Sequence, residues 1–416
     1  MRVFKFGGAS VKDAESIKNL SRVLETTGVE NLVVVVSAMG KMTNALEKVV
    51  SDYLTKSPEL KASLAYVIDY HYQIVQALFP EKSHPVYEEI QEFFEELKSF
   101  FELNKSNSHS YVYDQVVCYG ELISTKIISQ FLNHHNLKNT WLDSRECIKT
   151  DNNYRDAGVD WSLTQAQIKS KIEHRALTIT QGFLGSNENN FTTTLGREGS
   201  DYSAAIFAYC LGAESVTIWK DVPGVLNADP RVFQNTELLR KISYREAIEM
   251  AFYGASVIHP KTLQPLQRKE IPLFVKSFLK PLEQGTCVTK GKDLEPSVSC
   301  YIVKNEQVLI SLSSLDFSFM MEDNIGEVFK LLHDFKMKVN LIQNSAISFT
   351  VVVDNKYKKL EELISKLKSN FKVRFNENVT LFTIRHFRER DVFEMEKNYQ
   401  VLLKQQSRDT VQLVVK

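Results

Sequence analysis

The chain has 416 residues, with 51 basic and 51 acidic side chains and an apolar fraction of 43%. That length is a prior for two or three domains, and the balanced charge gives no global case for nucleic acid or a membrane surface. Five dispersed cysteines with no CxxC pair argue for reduced thiols over a disulfide framework or zinc site, and no apolar run approaches a membrane span.

The start, MRVFKFGGAS, lacks the hydrophobic region and cleavage site of a secretory signal, so a cytoplasmic protein is expected. Val3 to Phe6 predicts a short strand that runs directly into Gly7-Gly8, and Ile17, Leu20 and Leu24 recur at helical spacing in a helix from about Asp13 to Thr26. Leu32 to Val36 is wholly apolar and β-branched at four of its five positions, as suits a central parallel strand covered on both faces. It opens into Ser37 to Asn44, so the first two strands both release the chain into small-residue loops, the expected ligand edge of a doubly wound sheet.

Ala45 to about Phe101 reads as long helical packing, and Asn104 to Ser110 as a polar break. A helix is then expected over Leu122 to Asn133, a strand near Thr140 to Asp143, a helix over Leu163 to Ser170, and a strand over Ala176 to Thr180 ending in Gln181-Gly182-Phe183. From Phe191 to Arg231 the pattern is a loop with a hydroxyl run, a glycine-rich turn, a helix stopped by Gly212, the buried strand Ser215 to Trp219 and a second, long loop. Tyr244 to Tyr253 is helical and Ile271 to Val275 a further strand. A turn-rich, polar stretch begins near Pro281, which places the domain boundary just after Thr286 and gives domains 1–286 and 287–416. Beyond it, strands and helices follow the order β-α-β-β-α-β of a ferredoxin-like unit. The remaining strands are accompanied by only a meagre helix over Asp391 to Asn398.

Several charges stand where these elements meet. Lys5 next to two glycines can set an ammonium beside phosphates that backbone N–H groups approach, or be an edge lysine at an ordinary turn. Arg197 and Asp201, four residues apart in GREGSD, read either as a local ion pair or as a carboxylate-binding guanidinium beside a group that orients the reacting atoms. Glu121 after Gly120 can meet a cationic amine or be a first-turn helix glutamate. No Walker loop and no HRD or DFG signature occurs. Taken together, the charges and the glycine-bearing strand exits point to phosphoryl transfer to a small zwitterion.

KFGGAS (Lys5 to Ser10), SAMGKMTN (Ser37 to Asn44), Gly120-Glu121, QGF (Gln181 to Phe183), TTTLGREGSD (Thr192 to Asp201), DVPGV…ADPR (Asp221 to Arg231) and GASVIHP (Gly254 to Pro260) occur in this order. The set closely resembles the aspartate kinase family of the amino-acid kinase superfamily. The resemblance implies an α/β protein: a three-layer α/β/α amino-acid kinase fold followed by an α+β ferredoxin-like ACT regulatory region, its second unit shortened. With no homoserine dehydrogenase module following, a monofunctional enzyme is expected. It implies transfer of the γ-phosphoryl group of ATP, with Mg²⁺, to the side-chain carboxylate of L-aspartate, giving 4-phospho-L-aspartate, the first step toward lysine, threonine and methionine.

On that resemblance Lys5 and Asp201 are catalytic, and Thr43, Glu121, Phe183, Arg197 and Ser200 hold aspartate. Glu121 would face its amino group and Arg197 its α-carboxylate. Lys5, Gly7, Gly8, Ser37, Lys220, Asp221 and Arg231 surround the nucleotide, and no resident metal is expected. Met321, Asp323, Val339, Asn340, Asn344 and Ser345 match the effector loop of the first ACT unit, with lysine or threonine as effector and a homodimer assembled through the ACT region. A glutamate-type kinase and a catalytically idle amino-acid sensor are the competing readings.

The chain departs from the family pattern at Ala9, Glu198, Lys220, Leu226 and Ser256. Glu198 replaces the middle glycine of the usual GRGGSD, and a carboxylate beside triphosphate should repel it, so its side chain is expected to turn away or pair with a lysine. Asn340 stands where lysine-responsive members often carry Asp, leaving a lysine ammonium without that anionic partner.

Overall fold

A computed structural model describes the whole chain apart from His174, Ser256, Val257, Lys292, Asp293 and Phe317. The Ser256 departure therefore lies outside the described residues. In chain order the first elements are β1 (Arg2–Phe6), α1 (Ala14–Thr27), β2 (Leu32–Val36), α2 (Met42–Leu54), α3 (Leu60–Leu78), α4 (Val86–Leu103), α5 (His109–His134), β3 (Thr140–Leu142) and α6 (Trp161–Lys171). Then come β4 (Leu177–Gln181), β5 (Leu184–Ser186), β6 (Thr192–Thr194), α7 (Gly199–Leu211), β7 (Ser215–Lys220), β8 (Lys241–Ser243), α8 (Tyr244–Tyr253), α9 (Pro260–Arg268), β9 (Leu273–Ser277) and β10 (Thr286–Thr289). The last are β11 (Cys300–Ser313), α10 (Glu322–Asp334), β12 (Lys338–Asn344), β13 (Ser348–Asp354), α11 (Leu360–Leu367), β14 (Lys372–Arg385), α12 (Glu389–Asn398), β15 (Val401–Gln406) and β16 (Thr410–Val415).

The chain divides into two compact units. Met1–Val225, Leu238–Ile248 and a later stretch ending at Glu295 belong to the first, while Leu226–Glu237, a short stretch starting at Glu249 and Pro296–Lys416 belong to the second. The first is built on an eight-stranded sheet of order β3-β4-β2-β1-β7-β9-β10-β8. Strands β3, β4, β2, β1, β7 and β9 run parallel, and β10 runs antiparallel to β9. Because β10 begins at Thr286, the sheet carries on past the break expected from composition.

Strand β2 is buried at all five positions, as its apolar run requires. Along β1 the side chains alternate between the faces. Phe4 and Phe6 join Leu32, Val34 and Val36 in the large core formed with α1 to α5, while Lys5 shares the opposite face with α7. Helices α6 and α9 pack on α7, completing a helical layer on that side. Since the central strands are parallel, the exits after β1, β2, β4 and β7 all open at one sheet edge.

Three local expectations are corrected. Helix α5 starts at His109 and runs 26 residues unbroken, so Gly120 and Glu121 lie inside it and not at its start. Gly120 packs closely there: a Cβ would come within 3.0 Å of Ala38 Cβ and 3.1 Å of Leu46 Cδ1. The hydroxyl run Thr192–Thr194 is a strand, β6, paired antiparallel with β5. The helix expected to be meagre near the C-terminus, α12, has 10 residues against 8 in α11.

The second unit carries a six-stranded antiparallel sheet of order β12-β13-β11-β14-β16-β15. Strands β11 and β14 have 14 residues each and serve both halves. Their inner portions, Gln307–Ser313 and Lys372–Asn376, join β12 and β13, whereas Cys300–Lys304 and Thr380–Arg385 continue toward β16 and β15. Register shifts between Lys304 and Leu309 mark the passage. With α10 and α11 the first half has the β-α-β-β-α-β order and 2-3-1-4 strand arrangement of a ferredoxin-like unit, and it is inserted within the chain of the second half. The second half has α12 and, among the described residues, no further helix.

Candidate active site

At the common strand edge of the first unit lies a polar cavity of about 570 Å³. It brings together nine residues singled out from the sequence: Lys5, Ser37, Thr43, Glu121, Phe183, Arg197, Ser200, Asp201 and Lys220. They come from the ends of β1, β2, β4 and β7, the starts of α2 and α7, and the middle of α5. Gly7 and Gly8 flank the wall without lining it, and Asp221 is exposed just beyond β7. Arg231 belongs to the second unit, where it is exposed and holds Asp229 at 2.7 Å.

Glycines allow the backbone to approach here. A Cβ on Gly8 would lie 2.7 Å from the Gly40 carbonyl oxygen, so the loops after β1 and β2 can touch only without it, and Gly40 N donates to Gly8 O at 3.0 Å. A Cβ on Gly182 would fall 2.4 Å from Ser200 Cβ, which sets the β4 exit directly against the first turn of α7.

Lys5 Nζ stands 2.6 Å from Asp201 Oδ1, both side chains almost fully buried. Withdrawn from water, the pair retains most of its Coulomb attraction and fixes the ammonium between β1 and α7. Asp201 is in the first turn of α7, where a carboxylate is favoured by the helix dipole. Phe183 is held with φ +70°, its N–H donating to Ser203 Oγ at 2.9 Å and its carbonyl accepting from Leu195 N at 2.9 Å.

Glu121 is 2% exposed. Its Oε1 accepts from Ala38 N at 3.3 Å, and Oε2 has no hydrogen-bond partner. Burial pushes its carboxyl up to about 8, against the pull of the Ala38 N–H. An arriving ammonium would supply the missing partner and favour the ionised form.

Sequence reasoning did not find Tyr113 and Arg155, which also line the cavity. The Arg155 guanidinium lies 4.2 Å from the Tyr113 ring centroid and 3.3 Å from Glu47 Oε1. Asp114 is the hub beneath them. Its carboxylate accepts from Arg155 N at 3.0 Å, Thr194 N at 2.9 Å and Thr194 Oγ1 at 2.8 Å, and burial lifts it to about 6. One buried acid thus fastens the Arg155 loop to β6, the strand that leads to Arg197.

Glu198 makes no ion pair with a lysine among the described residues, although such a pair was one of the two expected outcomes. It lines the same wall, has φ +52° and ψ +31°, and leaves Oε2 buried without a hydrogen-bond partner. Arg155, Phe183 and Glu198 are three non-glycine residues with positive φ on one cavity wall, a concentration of backbone strain characteristic of functional sites.

No group of three His, Cys, Asp or Glu side chains that could hold a metal ion occurs among the described residues. No described helix is long and apolar enough to cross a membrane.

The profile of the amino acid kinase family matches residues 1–277. The chain is 33% identical over 356 residues to the lysine-sensitive aspartokinase 3 of Escherichia coli, covering 85% of this chain and 78% of that protein. It is 31% identical over 369 residues to the chloroplastic aspartokinase 1 of Arabidopsis thaliana, covering 85% of this chain and 63% of that longer protein. The crystal structure of E. coli aspartokinase III in complex with lysine and aspartate, a T-state, superposes with a TM-score of 0.84 at 29% identity, covering 100% of this chain and 96% of that one. The same protein in complex with aspartate and ADP, an R-state, gives a TM-score of 0.80 with the same coverage.

Proposed function

The chain belongs to the amino acid kinase family and within it to the aspartokinases, and we infer that it phosphorylates the side-chain carboxylate of L-aspartate with ATP. One observation carries the site reading: a single cavity holds the buried Lys5–Asp201 pair together with Glu121, whose Oε2 awaits a donor. A fixed ammonium suits a transferring phosphoryl group, and a buried carboxylate with an unused oxygen suits an amino group.

In this reading Glu121 accepts the α-ammonium and Arg197 pairs with the α-carboxylate in a bidentate geometry. Thr43 and Ser200 hold the substrate by their hydroxyls, and Phe183 closes the pocket. The side-chain carboxylate is ionised near neutral pH, so its oxygen attacks the γ-phosphorus without a general base. As that P–O bond forms, the bond from the γ-phosphorus to the β–γ bridging oxygen breaks and ADP leaves, giving the acyl phosphate. Lys5, kept in place by Asp201, meets the charge that develops on the phosphoryl oxygens, and positioning supplies most of the remaining acceleration. The backbone of Gly7, Gly8 and Ser37, with Lys220, Asp221 and Arg231, is assigned to the nucleotide. Mg²⁺ would arrive with ATP, keep several of its waters, and neutralise phosphate charge.

The six-stranded sheet is assigned as the regulatory region and as the contact surface of a homodimer, with Met321, Asp323, Val339, Asn340, Asn344 and Ser345 at the effector loop and lysine or threonine as effector. Hydroxylamine trapping of the acyl phosphate tests the catalytic reading. Aspartyl hydroxamate should form with ATP and Mg²⁺, and Lys5→Ala and Asp201→Ala should abolish it. Trapping with glutamate alone would replace the substrate, and product unaffected by both substitutions would break the assigned roles.

A further inference from the structure

Arg155 and Arg197 both line the cavity, and only Arg197 has a role in the reaction as just described. The chain fixes their two loops side by side. The Cβ that Gly196 lacks would lie 2.6 Å from Asp156 Oδ1 and 3.2 Å from the Arg155 carbonyl oxygen, so only glycine lets the loops approach this closely. Ala157 N donates to Thr194 O at 3.0 Å, and the Asp114 carboxylate accepts from both Arg155 N and Thr194 N. Lys261 Nζ donates to Asp156 Oδ1 at 2.6 Å and to Leu195 O at 3.0 Å. Asp156 is therefore paired with Lys261, and among the described residues with neither arginine. Arg155 itself is held at φ +70°, a conformation that favours glycine.

Both guanidinium groups keep most of their donors. Arg197 has no hydrogen bond or ion pair among the described residues. Arg155 has its guanidinium 4.2 Å from the Tyr113 ring centroid, and its polar side-chain contacts are Glu47 Oε1 at 3.3 Å and His109 Nδ1 at 3.5 Å. Arg155 and Glu47 are both about half exposed, so water screens their attraction and the pair yields easily to a better-placed carboxylate. Glu198 lines the same cavity but pairs with neither arginine among the described residues. Two cations fixed on neighbouring loops repel one another until an anion joins them. The Tyr113 ring meanwhile sets the plane of the Arg155 fork, whose paired N–H donors match a carboxylate.

Glu121, deeply buried with Oε2 unpartnered, marks where the substrate ammonium sits, and it shares α5 with Tyr113 about two turns away. The ammonium and the α-carboxylate are bonded to one carbon, whereas the side-chain carboxylate must reach Lys5 near the end of β1. The group that meets the arginines is therefore the α-carboxylate. We propose that Arg155 is a second binding residue for the α-carboxylate of the amino-acid substrate, sharing it with Arg197 and held in plane by Tyr113. The proposal rests on the kinase reading. With two guanidinium groups on it, the site demands a free α-carboxylate and refuses an aspartyl group whose α-carboxyl is closed as an amide, as in a peptide.

Calorimetric titration of the full chain with L-aspartate and with its α-amide, which keeps the amino group and the side-chain carboxylate, reads this without turnover. The wild type should bind aspartate about 100-fold more tightly than the α-amide. Arg155→Gln should weaken aspartate by about 10-fold and the α-amide by about 2-fold at most, so the preference falls about 5-fold or more. Arg155→Lys should retain part of the preference. Tyr113→Phe, which keeps the ring, should hold the wild-type preference, and Tyr113→Ala should lose it as Arg155→Gln does. An unchanged preference in Arg155→Gln overturns the proposal. So does equal weakening of both ligands in Arg155→Gln and Tyr113→Ala alike, which is what a merely structural role gives. A preference lost against L-asparagine in place of the α-amide would give Arg155 to the reacting carboxylate, and also overturns it. Failure of the kinase reading is separate and visible in the wild type alone, as no aspartyl hydroxamate from aspartate, ATP and Mg²⁺.

Discussion

Two polar clusters in this chain are built on opposite principles. In the first unit, the cavity at the strand edge leaves Glu121 Oε2 and Glu198 Oε2 buried and unpartnered, and three of its non-glycine residues have positive φ. In the six-stranded sheet, Lys304 Nζ donates to Asn340 Oδ1 at 2.7 Å, and Asn340 Nδ2 donates to Gln307 Oε1 at 2.7 Å and Asp354 Oδ1 at 3.0 Å. Gln307 Nε2 donates to the same Asp354 oxygen at 2.7 Å, closing the ring. Burial, with Lys338 nearby, lowers the Lys304 ammonium from its usual range while Asp354 opposes the shift. A cluster whose groups satisfy one another is structure, and one that keeps hydrogen-bonding capacity unused is prepared for ligands. Asn340, assigned to the effector loop, has its amide oxygen engaged by the chain's own Lys304.

The contrast breaks most sharply at the Lys5–Asp201 pair. Asp201→Ala should lower turnover by about 10²–10³-fold or more, since it leaves Lys5 buried without its counter-ion and removes the group that orients it. A variant with wild-type turnover in the hydroxamate assay would show that the pair is only structural.

Glu121→Gln comes next. Losing a charge-assisted contact to the ammonium costs about 2–3 kcal/mol, a rise in KM for aspartate of roughly 30- to 160-fold. The pH behaviour sharpens the test. Its folded-state carboxyl lies near 8, above the 4.5 of the free side chain, so it contributes stability below 4.5 that is lost as pH rises through 8. The ionised form binds the ammonium, so kcat/KM for aspartate should climb from pH 6 to 8 and level off above. Aspartate should also raise the melting temperature more at pH 8 than at pH 6. Both trends should vanish in Glu121→Gln.

Asp114→Asn should have a smaller and mixed effect. One of the carboxylate's three donors loses its acceptor, which costs about 1–3 kcal/mol of stability. As it frees the Arg155 loop from β6, KM for aspartate should move more than kcat. The mildest change is expected at Asn340→Ala. The sheet should lose about 1 kcal/mol by thermal unfolding, with turnover unchanged when no amino-acid effector is present. A collapse of basal activity there would mean that the closed ring reports to catalysis.

Much of the catalytic unit was legible in the sequence because its signals are local. Leu32–Val36 was placed to the residue, since a wholly apolar β-branched run has few alternatives to a buried parallel strand. Nine of the proposed site residues meet in one cavity, because glycine-bearing strand exits mark the ligand edge of such a sheet. What escaped depends on the tertiary setting. Gly120 suggested a helix start, whereas it fills a tight packing position inside α5. Arg155 has no mark in the sequence, since neither its positive φ nor its stacking on Tyr113 has a signature in composition. The strand Cys300–Lys304 was missed because its partners, Leu381–Arg385, are about 80 residues later in the chain.

That last pairing bears on how the protein can be taken apart and how it forms. A fragment starting after Asn376 would hold β15, β16 and most of β14, yet lack the strand that covers the other side of β14. During synthesis Cys300–Lys304 emerges first and waits unpaired until the entire first half has been made, so the outer half closes last, by a long loop. The six-stranded sheet is therefore one indivisible folding unit, expected to melt in a single transition. Swapping either half between related enzymes requires exchanging β11 and β14 with it.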